Sequence, residues 1–127
     1  MTLAELNKDY IYTSDTTKYG RKEHWVVMEP DAEGKYRGDC EDYVLTLIDK
    51  VEGFSELELW FCKIGDGGHC IGKASNGLFI DCNYKALVDR SIMEGNNFNS
   101  FRKYWKIEII WKKVQARVQE WISGFRK

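Results

Sequence analysis

One helix in this chain has both ends written into the sequence, and the rest must pack around it. Asp39 precedes an apolar run, Tyr43, Val44, Leu47, Ile48 and Val51, whose members fall on one side of a helix of about 3.6 residues per turn. Asp39 suits the N-cap because its carboxylate accepts a bond from an orphan backbone N–H. Asp42 stands three residues on, where the second member of a capping box reaches back. The helix is expected to end near Glu52, with Gly53 just past it and Phe54 packing on the last turn. Cys40 is therefore placed at a helix N-terminus, among Asp39, Glu41 and Asp42.

Downstream the period changes. Leu57 to Ile64 sets Leu57, Leu59 and Phe61 against Glu58 and Lys63 and reads as a strand. Gly65-Asp66-Gly67-Gly68 reads as a turn, His69 to Ala74 as a second strand, Ser75-Asn76-Gly77 as a tight turn and Leu78 to Asn83 as a third strand. These form an antiparallel meander, so the bare pattern gives α+β. Thr2, with Glu5 three on, starts a short helix over residues 2–8, and Tyr10 to Thr13 is a brief extended piece. Ser14 to Gly38 is loop-rich and holds the only proline, Pro30. Such a loop can wall a cleft, and Trp25 either lines that cleft or covers the core. Residues 84–104 read as irregular, with a turn at Gly95-Asn96-Asn97.

Residues 105–125 read as an amphipathic helix. Ile107, Ile110, Trp111, Val114, Val118 and Trp121 share one face, and Lys112, Lys113 and Arg117 lie away from it. Docking on the domain is the expected use, and a partner or an anionic membrane surface is the alternative.

With 127 residues, 43% hydrophobic and 31% charged, the chain is expected to form one globular domain over residues 1–127. A net charge of −1 gives no electrostatic footprint for nucleic acid. No run of about 18 apolar residues exists, so no membrane span is expected. Met1 to Asn7 lacks the basic and apolar regions of a secretory signal, so a cytoplasm is the expected location, a phage-infected one included. Cys40, Cys62, Cys70 and Cys82 make no C-x-x-C pair, which argues against a zinc ribbon. Buried free thiols in a reducing compartment are the simplest expectation for the last three.

A helix N-terminus favours a thiolate, which a nucleophilic cysteine needs, but the three carboxylates act the other way. Alone, the motif fits a capped helix with an inert cysteine. The wider pattern shifts that balance. Gly38-Asp39-Cys40-Glu41-Asp42-Tyr43 resembles the active-site signature of the bacterial transglutaminase-like cysteine peptidases. Tyr12-Thr13-Ser14-Asp15, Tyr19-Gly20 and Trp25 are similar to that family's lead-in. His69 after a glycine turn and Asp81 at the end of an apolar strand are similar to its histidine and aspartate. The resemblance runs from about Tyr12 to Trp105, and Val26-Val27-Met28-Glu29-Pro30 stands where the family usually has a Thr-Pro pair.

The resemblance implies a papain-like, transglutaminase-like fold, with a cysteine helix packed on an antiparallel sheet. It implies a cysteine peptidase that hydrolyses a peptide bond in a protein or peptide substrate through a thioester. Cys40 would be the nucleophile, His69 the general base and later acid, and Asp81 the group that orients the imidazole. The Cys40 N–H would be an oxyanion donor. His24 has no such companions and ranks below His69. The same triad serves amidase, deamidase or transglutaminase chemistry, and a non-catalytic binding or phage-structural module is a further alternative. No cofactor is required for the chemistry. Some periplasmic members bind calcium beside the cysteine; carried over, those ligands would be Asp39, Glu41 and Asp42, where Ca²⁺ would cancel the local charge.

Register tests the triad. A two-residue loop at Asn76-Gly77 would put His69 and Asp81 on opposite faces of the sheet. A three-residue loop, Ser75-Asn76-Gly77, with Gly77 left-handed, pairs Ala74 with Leu78 and makes His69 and Asp81 diagonal neighbours on one face. It also sets Cys70 opposite Cys82. The three-residue loop is the expectation.

Overall fold

The computed structural model describes residues 1–14 and 25–104, so His24 and the expected helix over 105–125 lie outside the described residues. The described chain runs α1 (Leu3–Asp9), β1 (Tyr10–Tyr12), β2 (Tyr36–Gly38), α2 (Cys40–Lys50), β3 (Glu58–Ile64), β4 (Gly67–Lys73), β5 (Phe79–Ile80), α3 (Arg90–Gly95) and β6 (Phe98–Lys103). β1 and β2 form a parallel pair, and the other strands form one antiparallel sheet in the order β5-β4-β3-β6. The α+β reading therefore holds.

Local chemistry sets the helix starts. Thr2 and Glu5 form a reciprocal capping box on α1, and Asp39 and Asp42 form another on α2. Each cap of this kind contributes about 1 kcal/mol. α2 stops at Lys50, a little before the expected end, and Gly53 takes its left-handed φ of +86° in the turn beyond. Two buried polar side chains of α2 hold the preceding chain alongside it. Asp42 Oδ1 accepts from the Val26 N–H at 3.0 Å, and Thr46 Oγ1 accepts from the Met28 N–H at 2.8 Å. Trp25 is buried in the core, edge-on to Tyr104 with ring centroids 5.4 Å apart.

Alternation along the strands gives the sheet two apolar faces. α2 covers one of them, where Leu59, Cys70, Ile80 and Cys82 pack with Val44 and Leu47. The other gathers Cys62, Ile71, Phe79 and Phe98 with Met93 of α3. Burying both faces explains why β4 is apolar at consecutive positions rather than strictly alternating.

β4 begins at Gly67, inside the stretch Gly65-Asp66-Gly67-Gly68 read as a turn, with Gly67 and Gly68 paired to Ile64 and Lys63. The structure corrects the sequence reading in three further places. The region 84–104 is not irregular: it contains α3 and β6, and β6 pairs with β3. Its pattern is hidden by a bulge. The register shifts between Phe61 and Lys63, and Ser100 opposite that step has φ +57°. The extra residue brings Phe98 and Phe101 to one face although they are three apart, which breaks the period of two. Secondly, Tyr36–Gly38 is a strand inside the stretch read as loop. Finally, the strand expected over Leu78 to Asn83 stops at Ile80. Asp81 ends it, because its Oδ1 accepts from the N–H groups of Asn83 (3.1 Å) and Tyr84 (2.7 Å) and folds the chain into a turn.

Candidate active site

The loop between β4 and β5 has three residues. The ladder pairs Gly72 with Ile80 and Lys73 with Phe79. Beyond it the Ala74 N–H donates to the Leu78 carbonyl at 2.8 Å, leaving Ser75, Asn76 and Gly77 as the loop. Gly77 has φ +88°, a conformation that glycine takes without a Cβ penalty. This is the register expected above, and its consequence is met: His69 Nε2 and Asp81 Oδ2 lie 2.7 Å apart in a buried hydrogen bond. Asp81 is fully buried and His69 is 8% exposed. The Asp81 turn and the Phe98 ring, edge-on to His69 with centroids 5.6 Å apart, fix the imidazole from two sides. Nε2 faces the carboxylate, which leaves Nδ1 as the ring nitrogen not engaged by Asp81.

Cys40 sits where the helix start was expected. The chain reaches it through β2, whose Gly38 carbonyl accepts from the Thr13 N–H at 2.9 Å and from the Tyr10 hydroxyl at 3.0 Å. Gly38 is required by a close approach: a Cβ there would lie 2.7 Å from both Asp42 Cβ and Met28 Sδ. The Cys40 sulfur is buried among Cys70 and Cys82 on the α2 side of the sheet. Its hydrogen-bond partner is Glu41 Oε2, at 3.4 Å. Burial pushes the Cys40 thiol far above its ordinary value, and the Glu41 charge pushes the same way. The backbone of Cys70 beside the sulfur pulls the other way, by less.

The structure thus joins two of the three expected catalytic residues, His69 and Asp81, and leaves the third, Cys40, on the other face of the sheet. Cys40 meets β4 at Cys70, the residue after His69, but alternation turns positions 69 and 70 to opposite faces. Among the described residues no hydrogen bond joins Cys40 to His69.

Asp39, Glu41 and Asp42 do not fit a cation. Asp42 is fully buried, with Oδ1 on the Val26 N–H and Oδ2 on the Asp39 N–H, while Asp39 Oδ1 caps the Asp42 N–H. Glu41 is turned to the thiol. Among the described residues no three His, Cys, Asp or Glu side chains are grouped to hold a metal ion. The capping account of Asp39 and Asp42 explains their geometry without calcium.

All four cysteines are free and buried. Cys70 and Cys82 share the α2-side cluster, as the register required. Sequence reasoning passed over Tyr12 as a side chain of the site. It is 60% exposed and pairs with Gly38 across β1–β2, two residues before Cys40. Among the described residues no helix is long and apolar enough to cross a membrane. No protein-family model matches the chain, and no curated protein matches it.

Proposed function

We propose that this protein is a cysteine hydrolase of the papain-like, transglutaminase-like kind, cleaving a peptide bond in a protein or peptide substrate. The observation that carries the reading is the buried 2.7 Å bond between His69 Nε2 and Asp81 Oδ2. A carboxylate that holds one ring nitrogen sets the tautomer and presents the other nitrogen as a base. On this reading the Cys40 side chain must leave Glu41 and the α2 face and reach His69, so that Nδ1 takes its proton as the sulfur attacks the substrate carbonyl. The Cys40 N–H, at the start of α2, stabilises the oxyanion. The imidazolium then protonates the leaving amine, and a water deprotonated by Nδ1 hydrolyses the thioester. Amide hydrolysis, deamidation and transglutamination use the same steps with another donor or acceptor.

A second reading has its own observation. A thiol held protonated by burial and bonded to Glu41 suits a non-catalytic module that keeps the fold. Iodoacetamide separates the two. The enzyme reading expects Cys40 to be labelled far faster than Cys62, Cys70 and Cys82, and more slowly in His69→Ala at neutral pH. Equal labelling of Cys40 in wild type and His69→Ala removes the pair from the mechanism, and slow, uniform labelling of all four thiols favours the module.

A further inference from the structure

The N-terminal helix touches both halves of the candidate site. Tyr43 lies one turn after Cys40 on α2, and its hydroxyl donates to Asn7 Oδ1 at 2.6 Å. Asn7 Nδ2 in turn donates to the Lys85 carbonyl oxygen at 2.8 Å. Lys85 closes the turn that begins at Asp81: its N–H donates to the Asp81 carbonyl at 2.9 Å, and it takes a left-handed φ of +57°. One half-buried amide therefore bridges the helix that carries Cys40 and the turn that carries Asp81. The link needs an amide, because one end accepts and the other donates, which an ionised carboxylate cannot do. The chain on either side of α1 is anchored on α2 and on the turn after it at two further points. The Glu52 N–H donates to the Met1 carbonyl at 2.9 Å, and the Tyr10 ring packs on Tyr43 with centroids 4.8 Å apart.

We propose that Asn7 is a positioning residue that sets the approach of Cys40 to the His69–Asp81 pair. The inference rests on the cysteine-hydrolase reading above. Neither bond of Asn7 involves a reacting atom; it acts through Tyr43 and Lys85. An error of about 1 Å in such placement can slow chemistry by roughly a hundredfold.

The test is the iodoacetamide rate of Cys40 at neutral pH in wild type, Asn7→Ala, His69→Ala and the double variant. Asn7→Ala should slow labelling roughly tenfold, within the range that misplacement allows. It should add no further slowing once His69 is gone. A merely structural residue gives another pattern, since loosening a buried thiol speeds its labelling or changes it equally in both backgrounds, and either result overturns the proposal. Tyr43→Phe keeps the ring and removes one of the two bonds. It should slow labelling in the same His69-dependent way, and it decides the matter if Asn7→Ala does not fold. If His69→Ala labels as fast as wild type, the catalytic pair itself fails and the proposal with it. If His69→Ala is slow and Asn7→Ala is not, only the positioning role fails.

Discussion

The two faces of the four-stranded sheet treat their ionisable groups in opposite ways. On the face away from α2, His69 and Asp81 are buried together with their polar atoms matched: Asp81 accepts from the imidazole and from two backbone N–H groups. On the α2 face, Cys40, Cys70 and Cys82 are buried as a group of thiols, all pushed up by the apolar surroundings first and by nearby negative charges second. One face gives a buried carboxylate three donors, beside the lone buried thiol of Cys62, and the other gathers three thiols with no such donors. A buried carboxylate is tolerated only with such partners, whereas a buried neutral thiol behaves as a small hydrophobe. A cysteine enzyme needs a group from each face to meet, so the contrast says where the work of activation lies.

The largest expected effect breaks the matched face. Asp81→Ala removes the acceptor for three donors, those of His69, Asn83 and Tyr84. Leaving buried donors unmatched should lower stability by roughly 2–4 kcal/mol in urea unfolding. Cys40→Ala removes one sulfur and no essential bond, and should cost about 1 kcal/mol or less. Comparable losses for the two variants would mean that the faces do not differ in this way.

The next effect sharpens the other side of the contrast. The unfolded thiols titrate near 9, and the folded ones on the α2 face are raised, Cys82 to about 12 and Cys40 and Cys70 higher still; Cys62, on the other face, is raised to about 12 as well. Below pH 9 both states hold the protons and stability is unaffected. Above it the unfolded chain releases protons that the folded chain keeps, so stability falls as pH rises. Each thiol should contribute a loss of about 1 kcal/mol by pH 10. Denaturant titrations from pH 8 to 10 should therefore show a steep decline, and Cys70→Ala and Cys40→Ala should each flatten it by about one such share. If Cys40→Ala leaves the slope unchanged, the folded Cys40 thiol titrates as the unfolded one does, and if it steepens the slope, Cys40 ionises more readily when folded; either result means that the α2 face does not exclude its charge.

What the sequence disclosed follows the same division. The two capping boxes were legible because each is written within four residues. The relation of His69 to Asp81 was legible because it depends only on the parity of one short loop. The relation of Cys40 to His69 was not. Parity along β4 says that positions 69 and 70 face opposite ways, but which of them faces α2 is set by packing far away in sequence. Gly72 decides it here: Val44 of α2 lies against it, so Gly72 and Cys70 face the helix and His69 does not. β6 was unreadable for a related reason, since one left-handed residue, Ser100, removed the period that identifies a strand. β2 escaped because three residues are too few to show a period.

The smallest expected effect concerns the loop that sets the parity of the matched face. Gly77 has φ +88°, and a Cβ built there meets nothing within 4 Å. The penalty for a side chain is therefore backbone strain alone, with no clash to relieve. Gly77→Ala should lower stability by roughly 1 kcal/mol. Gly77→Asn should lose less, because asparagine enters the left-handed region more readily. In both variants the His69–Asp81 bond should persist, because the ladder pairs Gly72–Ile80 and Lys73–Phe79 and the Asp81 turn hold it independently of residue 77. Cys40 labelling should then match wild type. The contrast would break if Gly77→Ala slowed Cys40 labelling as much as His69→Ala does. That result would show the loop to be the element that holds the parity, with the strand pairs following it. If stability falls by the expected amount and labelling is unchanged, register is fixed by the packed faces, and the glycine only permits the three-residue turn that those faces require.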